Sequence, residues 1–358
     1  MQQHRSILLY PFSLAYGFLT CFRNMLYNSG IFASFEFRVP VICLGNITVG
    51  GTGKTPHTEY LIRLLKDEFK VAVLSRGYKR KTSSFITASA SSTTRDTGDE
   101  PLQIFRKYPD ITVAVDRDRV HGIKTILTNF PGTDVVILDD GFQHRKIKPG
   151  LNILLCDFNR PMNKDHMLPY GNLREGVENI RRADIIIVTK TPAGIPEDQR
   201  KIIEKETGTD PHQYLFFTKI IYEPPVPVFD VKPDHSFPSG KDEKASAGIV
   251  VITGIADPEP FMKFLRQSFD EIIHLKYPDH HKFKPDDIDN IIASFNNLKN
   301  PLKYIVTTEK DAIRLAETKS LPEEIRRSAF YIPISIDFLD YGKKMFDKLV
   351  KDYVGKDK

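Results

Sequence analysis

The run Gly45-Asn-Ile-Thr-Val-Gly-Gly-Thr-Gly-Lys-Thr55 constrains this chain more than any other stretch. It follows an apolar, β-branched segment, Val39 to Leu44, and precedes an amphipathic one, Thr58 to Phe69. Strand, glycine-rich turn, Lys-Thr and helix together make a cradle for nucleotide phosphates: backbone N–H groups point at the anion, a lysine adds a mobile positive charge, and the hydroxyl next to it can hold Mg²⁺. The expected nucleotide contacts are therefore Thr48, Val49, Gly50, Gly51, Thr52, Gly53, Lys54 and Thr55, with Thr55 also toward the metal. The usual pattern is G-x-x-x-x-G-K-[ST], and Thr48 stands where its first glycine belongs.

Apolar strands alternating with helical segments set the fold class. Val71 to Ser75, Ile111 to Val115, Asp134 to Leu138, Ile153 to Cys156 and Ile185 to Thr189 read as strands, and Pro101 to Tyr108 and Val120 to Asn129 as helices. That alternation predicts parallel βαβ units in a doubly wound, mostly parallel α/β sheet, with ligands at the carboxyl ends of the strands. Prolines at 224, 225, 227, 233 and 238 then punctuate a polar stretch, after which the alternation resumes from Ile249 to Ala316. The expected division is a segment 1–35, a nucleotide-binding domain 36–221, a linker 222–247 and a smaller α/β domain 248–358. The last apolar helix, Phe338 to Tyr353, is left free to pack on either domain. A chain of 358 residues suits two cores.

The first segment departs from this globular pattern. From Ile7 to Phe22 there is no charge, yet the run is shorter than the ~20 residues that span a bilayer. Ser6, Tyr10, Ser13, Gly17, Thr20, Asn24 and Asn28 form a small or polar stripe opposite a broad apolar face, and Arg5 and Arg23 flank the run. An interfacial helix on an anionic membrane surface suits the pattern; a cleaved signal peptide and a plain core helix are its rivals. A phosphate loop works only where nucleotide is present, which argues against export. The net charge of +5 is too small to argue for nucleic acid, and three widely spaced cysteines argue against a disulfide framework or a zinc site.

Asp134-Val-Val-Ile-Leu-Asp139-Asp140 is an apolar strand closing on two carboxylates, the arrangement that holds Mg²⁺ beside a phosphate loop. Successive side chains on a strand point to opposite faces, so one of the pair meets the metal more closely, and the sequence does not choose between them. The donor-rich turn Gly141-Phe-Gln-His-Arg145 suits sugar hydroxyls or phosphate.

GNITVGGTGKTP, LSRGYKRK, GDEP, DDGFQHR, LREG, GIADPEPF, YPDHHKF and TTEKDAIRL occur in this order. Together they resemble the lipid A 4′-kinases (tetraacyldisaccharide 4′-kinase) over about residues 1 to 335. That family's loop also carries Ser or Thr in place of the first glycine. The resemblance implies a P-loop NTPase-like domain that uses ATP and Mg²⁺ to phosphorylate the 4′-hydroxyl of an acylated disaccharide 1-phosphate. It also implies a place on the cytoplasmic face of the bacterial inner membrane, held there by the N-terminal helix. Matched motif by motif, Asp99 looks like the general base, His280 its partner, and Lys54 the phosphate lysine. Glu100 looks like a magnesium or water-network residue. Asn46, Arg76, Tyr78, Arg119, Gln143, Arg174 and Glu175 look like contacts to headgroup or nucleotide. LREG stands where the family often shows LREP, and YPDHH begins with Tyr in place of Phe.

Two rivals remain on the residues. A phosphate-loop switch that binds membrane and partner without phosphorylating a small molecule leaves Asp99, Gln143 and His280 idle. A GTPase needs Asn/Thr-Lys-x-Asp, and Thr189-Lys190-Thr191-Pro192 lacks the Asp. His280-His281 has no third ligand at suitable spacing for zinc.

Overall fold

A computed structural model describes residues 6–78, 80, 82–238, 245–318 and 320–356; Arg5, and Lys79 and Lys81 of LSRGYKRK, lie outside the described residues. The chain divides into two compact units, 1–221 with 335–358, and 222–334.

The first unit supplies β1 (Val41–Gly45), β2 (Val71–Ser75), β3 (Ile86–Thr87), β4 (Thr112–Val115), β5 (Val135–Asp139), β6 (Leu151–Asp157), β7 (Ile185–Thr189) and β8 (Tyr214–Tyr222). The second supplies β9 (Val226–Pro227), β10 (Ala245–Thr253), β11 (Phe269–Lys276), β12 (Lys303–Thr308) and β13 (Ala329–Ile332), after which β14 (Ile334–Phe338) returns to the first sheet. The larger sheet runs β14-β8-β7-β6-β1-β5-β2-β4-β3. Pairing is parallel from β8 through β4, with β3 antiparallel at the edge.

Both faces of this sheet are covered, which is why its strands read as continuous apolar runs. Ile42 and Leu44 of β1 with Val135 and Ile137 of β5 join one core, while Val41, Cys43, Val136 and Leu138 join the other. The first face carries the helix α2 (Lys54–Leu65), the second the helix Arg119–Asn129. β1 lies between β5 and β6, where the strand order reverses, so the loop leaving its carboxyl end opens onto the crevice such sheets use for ligands.

Two expectations about boundaries change. The proline-rich stretch belongs to the second unit: Phe229 is buried in its core, Phe237 packs 5.2 Å from the Tyr304 ring, and β9 pairs antiparallel with β13. Proline is tolerated in β9 because the strand is an edge. The chain also leaves the second domain before its end. The helix Gly342–Gly355 buries Phe346, Val350 and Val354 in the first unit's core, where each side chain contributes about 1.5–3 kcal/mol.

The N-terminal helix α1 (Tyr10–Asn28) is docked with its polar side inward. Ser13 and Asn24 are its buried residues. Ser13 Oγ donates to the Met167 carbonyl (2.6 Å), Tyr16 Oη to the Arg174 carbonyl (3.2 Å), and Asn24 Nδ2 to Glu175 Oε2 (3.1 Å). Phe12, Leu14, Phe18, Leu19, Phe22 and Met25 face outward. Among the described residues no helix is long and apolar enough to cross a membrane.

Candidate active site

The loop between β1 and α2 is shaped by two left-handed glycines, Gly50 (φ +95°) and Gly53 (φ +85°). Thr48 needs no such freedom, because it bridges to Leu173 and stays extended. Asn46 ties the base of the loop by donating from Nδ2 to Thr52 Oγ1 (2.8 Å), and Gln143 Nε2 donates to the Asn46 carbonyl. Thr189 Oγ1 donates to the Thr52 carbonyl (2.9 Å). Lys54 reaches along the loop, its Nζ 3.5 Å from Asn46 Oδ1 and 3.7 Å from Asp140 Oδ1. Thr55 follows in the first turn of α2.

Asp139 closes β5 in a buried position and accepts from Thr58 Oγ1 (3.2 Å). Burial first, then the charges of Glu100 and Asp140, push its carboxyl well above the usual carboxylate range. Asp140 turns out of the strand at φ +51° and pairs with Arg174 (3.0 Å). Burial opposes its ionisation, but Lys54 and Arg174 outweigh that and hold it below the usual range. The neighbouring carboxylates thus face different surroundings. Among the described residues no cluster of three or more His, Cys, Asp or Glu side chains forms a metal cage. Magnesium asks for none, taking most ligands from water and phosphate. The charges of Glu100 and Asp140 both bear on Asp139, and a cation beside it would offset them, so the donor set fits that ion.

Other expected residues gather at the same carboxyl edge. Arg76 and Tyr78 follow β2 and are exposed. Asp99 and Glu100 are half-buried in the first turn of the helix Asp99–Lys107. Gly98 precedes them at φ +90°, where a Cβ would stand 3.0 Å from the Tyr78 carbonyl, so the GDEP and RGY turns lie against one another. Arg119 is buried, donates from Nη1 to the Asp116 carbonyl (3.2 Å), and keeps a buried Nε without a hydrogen-bond partner. Burial lowers its proton affinity, with the Asp140 charge opposing.

Two residues stand elsewhere. Glu175 is fully buried and bonds Arg182 (2.5 Å) and Asn24, which fastens α1 to the first unit. His280 belongs to the second unit, on a turn at φ +63°, with Arg314 Nη2 donating to its Nδ1 (2.9 Å).

Sequence reasoning passed over two groups at the loop. His57 is buried on α2, its Nδ1 2.7 Å from the Gly53 carbonyl and its Nε2 3.0 Å from Thr218 Oγ1. Burial pulls its pKa down to about 4, leaving the ring neutral and the Gly53 turn pinned. Asp157 closes β6 as Asp139 closes β5, and holds Lys190 (2.7 Å) and Arg160 (3.1 Å). The Arg160 guanidinium lies 2.9 Å from where a Gly50 Cβ would stand, covering the turn. A strand ending in Asp was the available signal for this group.

With this geometry in view, the likeness to known proteins is decisive. A family model described as tetraacyldisaccharide-1-P 4′-kinase matches residues 5–354. The chain belongs to this family. It is accordingly an ATP-dependent kinase of lipid A biosynthesis. The tetraacyldisaccharide 4′-kinase of Parabacteroides distasonis is 44% identical over 97% of this chain and 94% of its own length. That of Bacteroides thetaiotaomicron is 45% identical over 97% and 92%. The kinase also shares its fold with the Aquifex aeolicus LpxK structure determined in complex with ATP, at TM-score 0.74 and 29% identity, covering 97% of this chain and 98% of that one.

Proposed function

We propose that this kinase transfers the γ-phosphoryl group of ATP to the 4′-hydroxyl of an acylated glucosamine disaccharide 1-phosphate while lying on the cytoplasmic face of the inner membrane. The observation that carries the membrane part is the outward apolar face of α1, fastened through its polar side to the same unit that holds the phosphate loop. A water-facing helix would bury that apolar face and expose the polar one.

Phosphoryl transfer asks for positioning and charge stabilisation more than covalent help. Lys54 and the N–H groups of the loop receive the phosphates, and Asn46 and Gln143 keep the loop in shape. Thr55 with Asp139 or Asp140, and Glu100 through water, would hold Mg²⁺, which neutralises charge on the phosphate oxygens when bound. Asp99 accepts the proton of the alcohol and His280 is its functional partner. Arg76, Tyr78, Arg119 and Arg174 serve the headgroup or the nucleotide. Glu175 keeps its place in that set by motif, with a side chain that is buried against Arg182 and Asn24.

The test is ADP release from ATP with and without the acylated disaccharide 1-phosphate. Lipid-dependent ADP is expected, and lipid-independent hydrolysis alone overturns the reading. Asp99→Ala and His280→Ala should each lower kcat by roughly 10²–10⁴-fold. Their double variant should be scarcely worse than the poorer single one. Fully multiplicative losses would show two independent roles.

A further inference from the structure

GIADPEPF and TTEKDAIRL have no part in the chemistry above, yet in the second unit both converge on the turn YPDHH. Arg314 is 6% exposed; its Nη2 donates to His280 Nδ1 at 2.9 Å and its Nη1 to Asp311 Oδ1 at 3.3 Å. Asp311 is 1% exposed, and its Oδ2 accepts from the Gly254 backbone N–H (2.8 Å) and from Thr308 Oγ1 (2.7 Å). At Gly254 a Cβ would stand 2.9 Å from Asp311 Oδ1 and 3.1 Å from the Pro278 carbonyl. Glycine there lets the carboxylate and the His280 turn close on one another. Two more bonds brace the turn: Tyr277 N–H to the Thr253 carbonyl (2.7 Å) and His281 Nε2 to Asp287 (2.7 Å).

We propose that Asp311 and Arg314 are positioning residues that fix the orientation of the His280 ring. A guanidinium has five donors and no acceptor, so the contact at Nδ1 is one in which the ring nitrogen accepts, and the rigid fork sets the plane of the ring. Asp311 balances the guanidinium charge and holds its plane, as a carboxylate does for an orienting group behind a reactive histidine. Nε2 is the end turned toward Lys310 Nζ (3.3 Å) and Asp279 Oδ2 (3.7 Å). The ring is therefore held on its Nδ1 side by Arg314, with its Nε2 edge beside Lys310 and Asp279. The sequence distance between His280 and Arg314 hides this arrangement, and the parallel pairing of β10 with β11 and β12 creates it.

This inference rests on His280 taking part in the reaction. Arg314→Met and Asp311→Asn in the full-length kinase should each lower kcat roughly ten- to a hundred-fold, with KM for ATP and for lipid changed less than about threefold. Arg314→Lys, which keeps a donor without the fork, should recover part of the loss. On a His280→Ala background neither change should lower kcat further. Nitrogen NMR of ¹⁵N-histidine-labelled protein should show the His280 Nδ1 resonance displaced in Arg314→Met, where the hydrogen bond to that nitrogen is lost. Losses that multiply with His280→Ala, or an unchanged ring spectrum in Arg314→Met, overturn the proposal. If Arg314→Met unfolds on heating far below the parent, Asp311→Asn and Arg314→Lys supply the same two readouts. Wild-type kcat in His280→Ala would sink the underlying reading; an impaired His280→Ala beside a fully active Arg314→Met sinks this inference alone.

Discussion

Replacing Phe18 and Leu19 together by serine should release the protein from anionic vesicles and leave its fold intact. Phe18 is 71% exposed and Leu19 64% exposed, so the first unit loses almost no packing when they go. Their exposed apolar surface amounts to roughly 250 Å², worth ~6 kcal/mol at ~25 cal/mol per Å² if it enters hydrocarbon fully. An interfacial helix buries about half its girth, so ~3 kcal/mol, or roughly a hundred-fold in the partition constant, is the expected loss. Co-sedimentation with vesicles at fixed salt measures the partition, and calorimetry on the same samples measures Tm. A partition constant within about threefold of the parent would refute the reasoning. So would a Tm that falls in step with binding, since those side chains would then be packing residues. Deleting the whole helix is a poorer experiment, because it also removes Ser13 and Asn24 and strips Glu175 of a partner.

Lys54→Ala should abolish lipid-dependent ADP formation with Tm unchanged, since the ammonium serves phosphates and not the core; near-parental kcat in a steady-state assay would show that the loop is not the catalytic cradle. Glu175→Ala should lower Tm by roughly 10 °C, because Arg182, whose pKa burial already pulls down to about 10, is left without its carboxylate at a cost of about 3–5 kcal/mol. Glu175→Gln, which keeps an acceptor for Asn24, should fall less in the same thermal scan. Stability should also decline as pH drops from about 6.5 toward 4. Burial, aided by Arg119, lowers the folded-state pKa of His144 to about 4, so only the unfolded chain takes up that proton within the window. Urea unfolding of His144→Gln at both pH values should show a smaller decline than the parent.

The sheet and the phosphate loop were legible because their signals are local. Strands buried on both faces are apolar throughout, and the glycines of the loop sit where backbone must turn left-handed. The loop does start its helix earlier than amphipathicity indicates, at Lys54, because Gly53 ends the turn there. What escaped depends on contacts distant in sequence. The stripe from Ser13 to Asn24 was visible, but its partners, Met167, Glu175 and Asn179, lie far along the chain, so its docking inward could not be read. The LREG motif shows Glu175 beside Arg174, but not that Glu175 bonds Arg182 while Arg174 reaches Asp140 and Gln143. Phe229 and Phe237 were masked by the prolines around them.

β8 and β14 run antiparallel, Leu339 N–H bonding the Phe217 carbonyl and Glu223 N–H the Pro333 carbonyl, so in the chain the second unit is an insertion between two paired strands. During synthesis, β14 and the helix that follows it emerge only after the inserted unit has been made. The inserted unit can therefore fold while the nucleotide-binding unit still lacks an edge strand and the cover over part of its core. A nascent chain that ends within the insertion carries the nucleotide loop on a sheet that still lacks β14 and the helix burying Phe346, Val350 and Val354. The same connectivity makes the insertion replaceable: a two-residue turn joining β8 to β14 would restore a continuous hairpin to the larger sheet.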